Sequence, residues 1–125
     1  MTALDPYFKA AGRVLLSIIF LSAGYGKIMG YTGTQGYMEK FGVPGELLPL
    51  VIVTELGGGL ALLLGWKTRW AALALAGFCV LSALLFHLDF ASKIQTIMFM
   101  KNLGLAGGFL VLAAAGPGAL SMDER

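Results

Sequence analysis

The chain has 125 residues, of which 58% are hydrophobic and only 13% carry a charge. Soluble domains usually have about a quarter charged residues, so this sequence lacks the polar side chains needed to cover a water-facing surface. The net charge of +2 comes from nine basic residues scattered among seven acids. No basic run is present, which excludes nucleic-acid binding. No polar segment is large enough to hold a soluble active site, so the composition predicts an integral membrane protein.

Four long apolar segments predict four membrane-spanning helices in a single domain, residues 1–125. In chain order, these helices are expected over Pro6–Met29, Glu46–Gly65, Trp70–Leu88 and Thr96–Ala115. The predicted fold is therefore all-α, an integral membrane four-helix bundle.

The first helix is interpreted as retained in the mature chain rather than cleaved as a signal peptide. Lys9 and Arg13 do precede an apolar stretch of signal-like length. However, Asp5 followed by Pro6 is typical of a helix N-cap with proline in the first turn. We therefore expect Asp5 to cap a full-length spanning helix.

The connection "GYTGTQGYMEKFGVPG", residues 30–45, predicts a short additional helix. Tyr37, Met38 and Phe41 fall on one face of a helical wheel, whereas Glu39 and Lys40 point away. An amphipathic segment of this kind suits a helix that lies at the membrane interface.

Charge distribution predicts the orientation of the bundle. Four spans place both termini on one side, with these basic residues: Lys9, Arg13, Lys67, Arg69 and Arg125. The other side carries Lys27, Lys40, Lys93 and Lys101, of which Lys27 and Lys101 lie beside or within apolar segments. The positive-inside rule thus favours cytoplasmic termini, with Lys67 and Arg69 as topology determinants. Arg13 is ambiguous: it lies one to two turns inside the cytoplasmic end of the first helix and can extend its side chain outward to the interface.

Small residues spaced four apart predict close helix packing inside the bundle. Three such pairs occur: Gly26 and Gly30, Ala72 and Ala76, Gly104 and Gly108. The single cysteine, Cys79, is expected to be a small buried hydrophobe.

Glu55 is the most unusual residue, because it stands in the middle of the apolar run "LVIVTELGGGLALLLG". A charged side chain at the centre of a spanning helix costs about 2.5–3.5 kcal/mol on insertion scales, so lipid exposure is not expected. Counting residues from the outer side places Lys101 and Asn102 of the fourth helix within ~5 Å of the same depth. Lys27 and His87 approach from that side too.

The five residues Lys27, Glu55, His87, Lys101 and Asn102 are therefore predicted to form a polar cluster in the outer half of the bundle. One interpretation is a ligand-binding or proton-handling site, the usual role of intramembrane ionisable groups. The other is a purely architectural Glu55–Lys101 ion pair that fixes helix register. Near the interface, Lys27 and His87 are also explained by snorkelling to the membrane surface.

The chemistry that is missing narrows the function further. One histidine cannot provide two axial haem ligands, and one cysteine cannot hold an iron–sulfur cluster. The sequence has no metal-binding or nucleophile motif. No covalently bound cofactor or metal site is expected, so any redox role requires a diffusible cofactor or a partner's prosthetic group.

The chain resembles the DoxX family of small bacterial membrane proteins over roughly residues 10–123. The resemblance rests on four pieces in order: "GRVLLSIIFLSAGYGKI", "FGVP", "TELGGGLALLLGWKTRWAAL" and "KNLGLAGGFLVLAAAGPGALSMD". It implies a four-helix protein of the bacterial inner membrane. The motif positions carried by this chain are Arg13, Lys27, Glu55, Gly58, His87, Lys101 and Asn102.

Some members of the family are linked to quinone-dependent oxidation, so the resemblance implies a quinone-interacting protein that is the membrane subunit or partner of an oxidoreductase. In such a site Lys101 or Asn102 would donate to quinone carbonyls, and Glu55 would move a proton. Phe20, Phe78, Phe86 and Phe99 are available as apolar walls, although aromatic residues in such helices more often serve plain packing. The alternative is a non-enzymatic assembly or chaperone-like scaffold; a transporter is disfavoured because no inverted repeat is evident.

Overall fold

All the secondary structure is helical in the computed structural model, which describes residues 2–124. The helices are α1 Asp5–Met29, α2 Tyr31–Lys40, α3 Leu48–Leu64, α4 Thr68–Phe86 and α5 Lys93–Ala115, with short 3₁₀ turns at Thr2–Leu4, Gly45–Leu47 and Met122–Glu124. Helices α1, α4, α5 and α3 with its preceding turn, four in all, are long and apolar enough to cross a membrane. The predicted all-α bundle with one additional short helix is confirmed.

The helix ends differ slightly from the predicted ones for local reasons. Asp5 is the first residue of α1, and Leu4 occupies the cap position without a side-chain hydrogen bond, so the predicted Asp5 cap is wrong. Helix α5 begins three residues early because Ser92 Oγ accepts a hydrogen bond from the Gln95 amide at 3.4 Å. At the end of α3, Gly65 adopts the left-handed conformation with φ 70°, which stops the helix.

The spans pack in the order α1–α3–α4–α5 around the bundle, and each helix in this series packs along the next. Between α1 and α5 the rings of Phe20 and Phe109 meet with centroids 5.4 Å apart. Cys79 is fully buried in the same core, as predicted. We call the end with the start of α1 and the end of α5 the terminal end, and the opposite end the α2 end.

Glycines on α1 and α3 allow the closest helix contacts. A Cβ on Gly24 would lie 2.6 Å from the Leu56 side chain, and one on Gly58 would lie 2.9 Å from Leu75. Because a methyl group cannot fit at such distances, α3 approaches α1 and α4 through bare backbone. Gly58 therefore has a packing role in the α3–α4 contact.

The predicted small-residue pairs have mixed outcomes. Ala72 and Ala76 are buried, which confirms the prediction for that pair. Gly26 and Gly104 have no atom within 4 Å of a Cβ position, so the predicted packing inside the bundle is wrong for their two pairs. Spacing of four residues places them on one helix face but does not determine what the face contacts.

Helix α2 covers the α2 end of the bundle. Its Met38 is buried, and the Tyr37 ring stacks on Phe86 of α4 at 5.6 Å between centroids. Phe41, one residue beyond the helix, meets the same Phe86 ring at 5.4 Å. The face of α2 that the sequence predicts to be apolar thus packs against α4.

Candidate ligand-binding cavity

A cavity of about 1020 Å³ occupies the half of the bundle nearer to α2. All five helices contribute to its walls, which are mostly apolar. Three predicted wall residues, Phe20, Phe78 and Phe86, line it. Phe99 does not line the cavity and has the packing role instead, since its ring lies edge-on against Phe90 at 5.1 Å.

The cavity brings together the five polar residues singled out from the sequence. Its lining includes Lys27 from α1, Glu55 from α3, His87 after α4, and Lys101 and Asn102 from α5. They converge because the spans alternate in direction, so residues near the end of α1 and α4 meet residues near the start of α3 and α5. An otherwise apolar cavity thus receives a small set of polar groups, the usual composition of a ligand site.

The partner of Glu55 is Lys27, not Lys101. Lys27 Nζ lies 3.0 Å from Glu55 Oε1 and donates a hydrogen bond to Oε2 at 3.2 Å. The predicted Glu55–Lys101 pair is wrong because α1 packs directly along α3, whereas α5 packs along α4. Only 3% of Glu55 is exposed, so the Lys27 ammonium is the counter-charge of a buried carboxylate.

His87 is buried and held by a neighbour in the following helix. Its Nδ1 lies 2.7 Å from Gln95 Oε1. Because an amide oxygen only accepts, Nδ1 is the donor in this contact. Because His87 is buried and makes this contact, its side chain does not snorkel to the membrane surface.

Lys101 and Asn102 contribute hydrogen-bond donors to the cavity wall. Within residues 2–124 the only ion pair is Lys27–Glu55, and the side chains of Lys101 and Asn102 have no hydrogen-bond partner in that range. Lys101 lies eight residues into α5, about 12 Å along the helix axis. At that depth an ammonium group without a counter-ion favours a polar or anionic ligand group.

Arg13 lies at the terminal end and forms a structural contact that the sequence did not reveal. It is only 2% exposed, so the predicted outward extension is wrong. Its guanidinium donates to Leu62 O at 2.9 Å and Leu63 O at 3.3 Å, the last carbonyls of α3. It also donates to Pro117 O at 3.1 Å and to Leu120 O. A single side chain therefore joins α1, α3 and the segment that follows α5.

The segment after α5 is fixed to the α3–α4 turn through Asp123. The Asp123 carboxylate accepts from Lys67 N at 2.6 Å and Thr68 N at 2.9 Å, which caps the start of α4. Partial burial raises the pKa of Asp123, but these hydrogen bonds and the Arg13 charge outweigh it, so the pKa lies below its ordinary value. We call residues 116–124, which include Asp123, together with Arg13 the C-terminal latch.

The other predicted topology determinants also have contacts at this end. Arg69 donates to Ala113 O at 3.3 Å and Ala114 O at 3.1 Å, near the end of α5. Lys67 Nζ lies 5.1 Å from the centre of the Trp66 ring. Their role in setting topology stays a prediction, and Arg125 lies outside the described residues.

Four apolar spans around a cavity with a few convergent polar groups define a small polytopic membrane protein with a candidate ligand site. The DoxX family model matches residues 8–88, and the chain belongs to this family. The resemblance inferred from the four sequence motifs is thereby confirmed.

Two Escherichia coli K12 proteins are similar to the chain over nearly its full length. The inner membrane protein YqjF is 55% identical over 124 residues, covering 99% of this chain and 95% of its own length. The inner membrane protein YphA is 34% identical over 130 residues, covering 98% of this chain and 93% of its own length. No solved structure matches the chain significantly.

Proposed function

We propose that this protein binds a membrane-dissolved quinone in the cavity near α2 and serves as a membrane subunit or partner of an oxidoreductase. The observation that carries the proposal is the position of two donors without partners, Lys101 and Asn102, on the wall of a large apolar cavity. Quinone carbonyls accept hydrogen bonds, and the rest of the molecule is apolar. Both properties match the cavity.

Such a site needs hydrogen-bond donors, groups that exchange protons and a source of electrons. Lys101 Nζ and Asn102 Nδ2 would donate to the carbonyl oxygens. Glu55, which is paired with Lys27, and His87, whose Nδ1 contacts Gln95, are the groups able to exchange protons with a bound quinol. The electrons would come from a partner oxidoreductase subunit.

We place the protein in the bacterial inner membrane with both termini in the cytoplasm. The two relatives are named as inner membrane proteins, and the basic residues of the terminal end support this orientation. In that arrangement the cavity lies in the periplasmic half of the bilayer.

The test compares quinone bound to the wild type with that bound to Lys101→Met and to a matched control on the same helix, Lys93→Met. Lys93 is exposed in the first turn of α5 and does not line the cavity. Hydrogen bonds to charged groups contribute about 1.5–3 kcal/mol, so Lys101→Met should weaken ubiquinone binding by about tenfold or more. Lys93→Met should bind like the wild type. Mass spectrometry of extracts measures the quinone that each protein retains, and titration of the purified protein measures its affinity for ubiquinone.

One observation favours a second candidate, a non-enzymatic assembly scaffold. Lys27 already neutralises Glu55 inside the chain, so the buried charge needs no ligand. A scaffold predicts a wild type that neither retains nor binds ubiquinone but co-purifies with a protein that Lys101→Met also retains. That result would reject the quinone site.

A further inference from the structure

The side of the bundle between α1 and α5 is closed in its middle and open nearer to α2. At mid-height Phe20 meets Phe109, and a Cβ on Gly108 would lie 4.0 Å from the Leu16 side chain. Gly104 lies one turn from Gly108 toward α2, on the same face of α5. Nothing lies within 4 Å of a Cβ on Gly104. The two helices therefore separate on the α2 side of the Phe20–Phe109 contact.

The walls of the cavity reach this opening from both sides. Ala23 and Lys27 line the cavity from α1, and Lys101 and Leu105 line it from α5. Lys101 is exposed, and 29% of the Lys27 side chain is exposed. Since both lysines also line the cavity, the cavity communicates with the outside of the bundle between α1 and α5.

The α2 end of the cavity is covered by contrast. Tyr37 and Phe41 contact Phe86 of α4, and Met38 is buried beneath them. Aromatic rings and a short helix thus lie over part of the aqueous side. The gap between the two spanning helices is an approach that faces the hydrocarbon region.

We propose that the gap between α1 and α5 beside Gly104 is a lateral entrance through which the ligand arrives from the bilayer. The occupant is an isoprenoid quinone whose head group binds at Lys101 and Asn102 while its tail leaves the cavity through the gap into lipid. This inference rests on the proposed function, since it names the route and tail of the same ligand. A bulky side chain at position 104 would project into the path of the tail.

The experiment narrows the gap without touching the head-group site. Gly104 does not line the cavity, so Gly104→Phe adds bulk only at the entrance. The matched control is Gly57→Phe on α3, which is exposed, does not line the cavity and has nothing within 4 Å. Two probes are titrated: ubiquinone, and its tailless dimethoxy-methyl-benzoquinone head group.

Gly104→Phe is expected to weaken ubiquinone binding by about tenfold or more, because a tail that cannot pass the gap keeps the head group out. The tailless head group should bind as to the wild type, and Gly57→Phe should change neither. Gly104→Leu should give a smaller loss, and it serves as the test if the phenylalanine variant does not fold.

Unchanged ubiquinone binding in the folded Gly104 variants would overturn the entrance while leaving the quinone site standing. Equal loss of both probes would overturn it too, since a distorted cavity rather than a blocked path would be the cause. A wild type that binds neither probe would reject the proposed function itself.

Discussion

Replacing Arg13 with lysine tests whether this buried side chain holds the terminal end together. The substitution keeps the positive charge, so insertion topology is preserved, but it removes the planar fork of five donors. Four carbonyls on two separate segments then compete for one ammonium group. Of these, Leu62 O also accepts from Gly65 N at 3.2 Å, whereas Pro117 O, on a buried residue, has no donor other than Arg13 among residues 2–124. A buried carbonyl left without a donor costs about 1–3 kcal/mol.

We therefore expect Arg13→Lys to lower the free energy of unfolding by about 1–3 kcal/mol, since the buried Pro117 O loses its donor. Arg69→Lys is the matched control, because Arg69 also donates to two carbonyls at this end but is itself exposed. Its loss should stay below about 1 kcal/mol. Denaturant titration of the detergent-solubilised variants measures both. Equal losses in the two variants, or none in Arg13→Lys, would refute the reasoning.

Two further predictions concern the other charged contacts. Lys27→Met should destabilise the protein by about 3 kcal/mol because it leaves Glu55 buried without a counter-charge. Adding Glu55→Gln should recover most of that loss, and losses that simply add in the double variant would contradict an architectural pair. Because the pKa of Asp123 in the folded protein is below its ordinary value, its contribution is present above about pH 4 and is lost as pH falls through the folded pKa. Thermal melting between about pH 7 and pH 3 should therefore show a smaller acid-side loss in Asp123→Asn, and identical profiles would count against the latch.

The spans and the polar cavity were predictable because each depends on position along one helix. Apolar runs long enough to cross a bilayer indicate helices whatever their neighbours, and counting residues from the membrane surface places Glu55 and Lys101 at similar depth. The two residues do line one cavity. The existence of α2 followed in the same way from the wheel positions of Tyr37 and Met38.

The wrong predictions about the ion pair and the glycine pairs share one physical cause, which is that position along one helix does not determine which helix lies beside it. The order of helices around the bundle places α1, not α5, against α3, so Lys27 rather than Lys101 reaches Glu55. The glycine pair at Gly104 has the right spacing for packing but lies beside a gap. Those features arise from contacts between distant segments, which a periodic pattern in one segment does not encode.

Arg13 shows a further limit of sequence reading. A basic residue near the end of an apolar helix is normally explained by outward extension to the interface. Its acceptors here are carbonyls, which carry no side-chain signal. The available hint was the ending "GPGALSMD", in which Gly116 and Gly118 have φ 82° and 85° and turn the chain back across the bundle.

The C-terminal latch has a consequence for how the protein is made. Arg13 enters the membrane with the first span, but its acceptor Pro117 O lies 104 residues later in the chain. Until the last span is inserted and the following segment folds back, the guanidinium lacks part of its carbonyl shell. Formation of these contacts at the terminal end is therefore one of the last steps of biogenesis. A nascent bundle that lacks residues 116–124 would expose an arginine without its hydrogen-bond acceptors to the cell's membrane quality control.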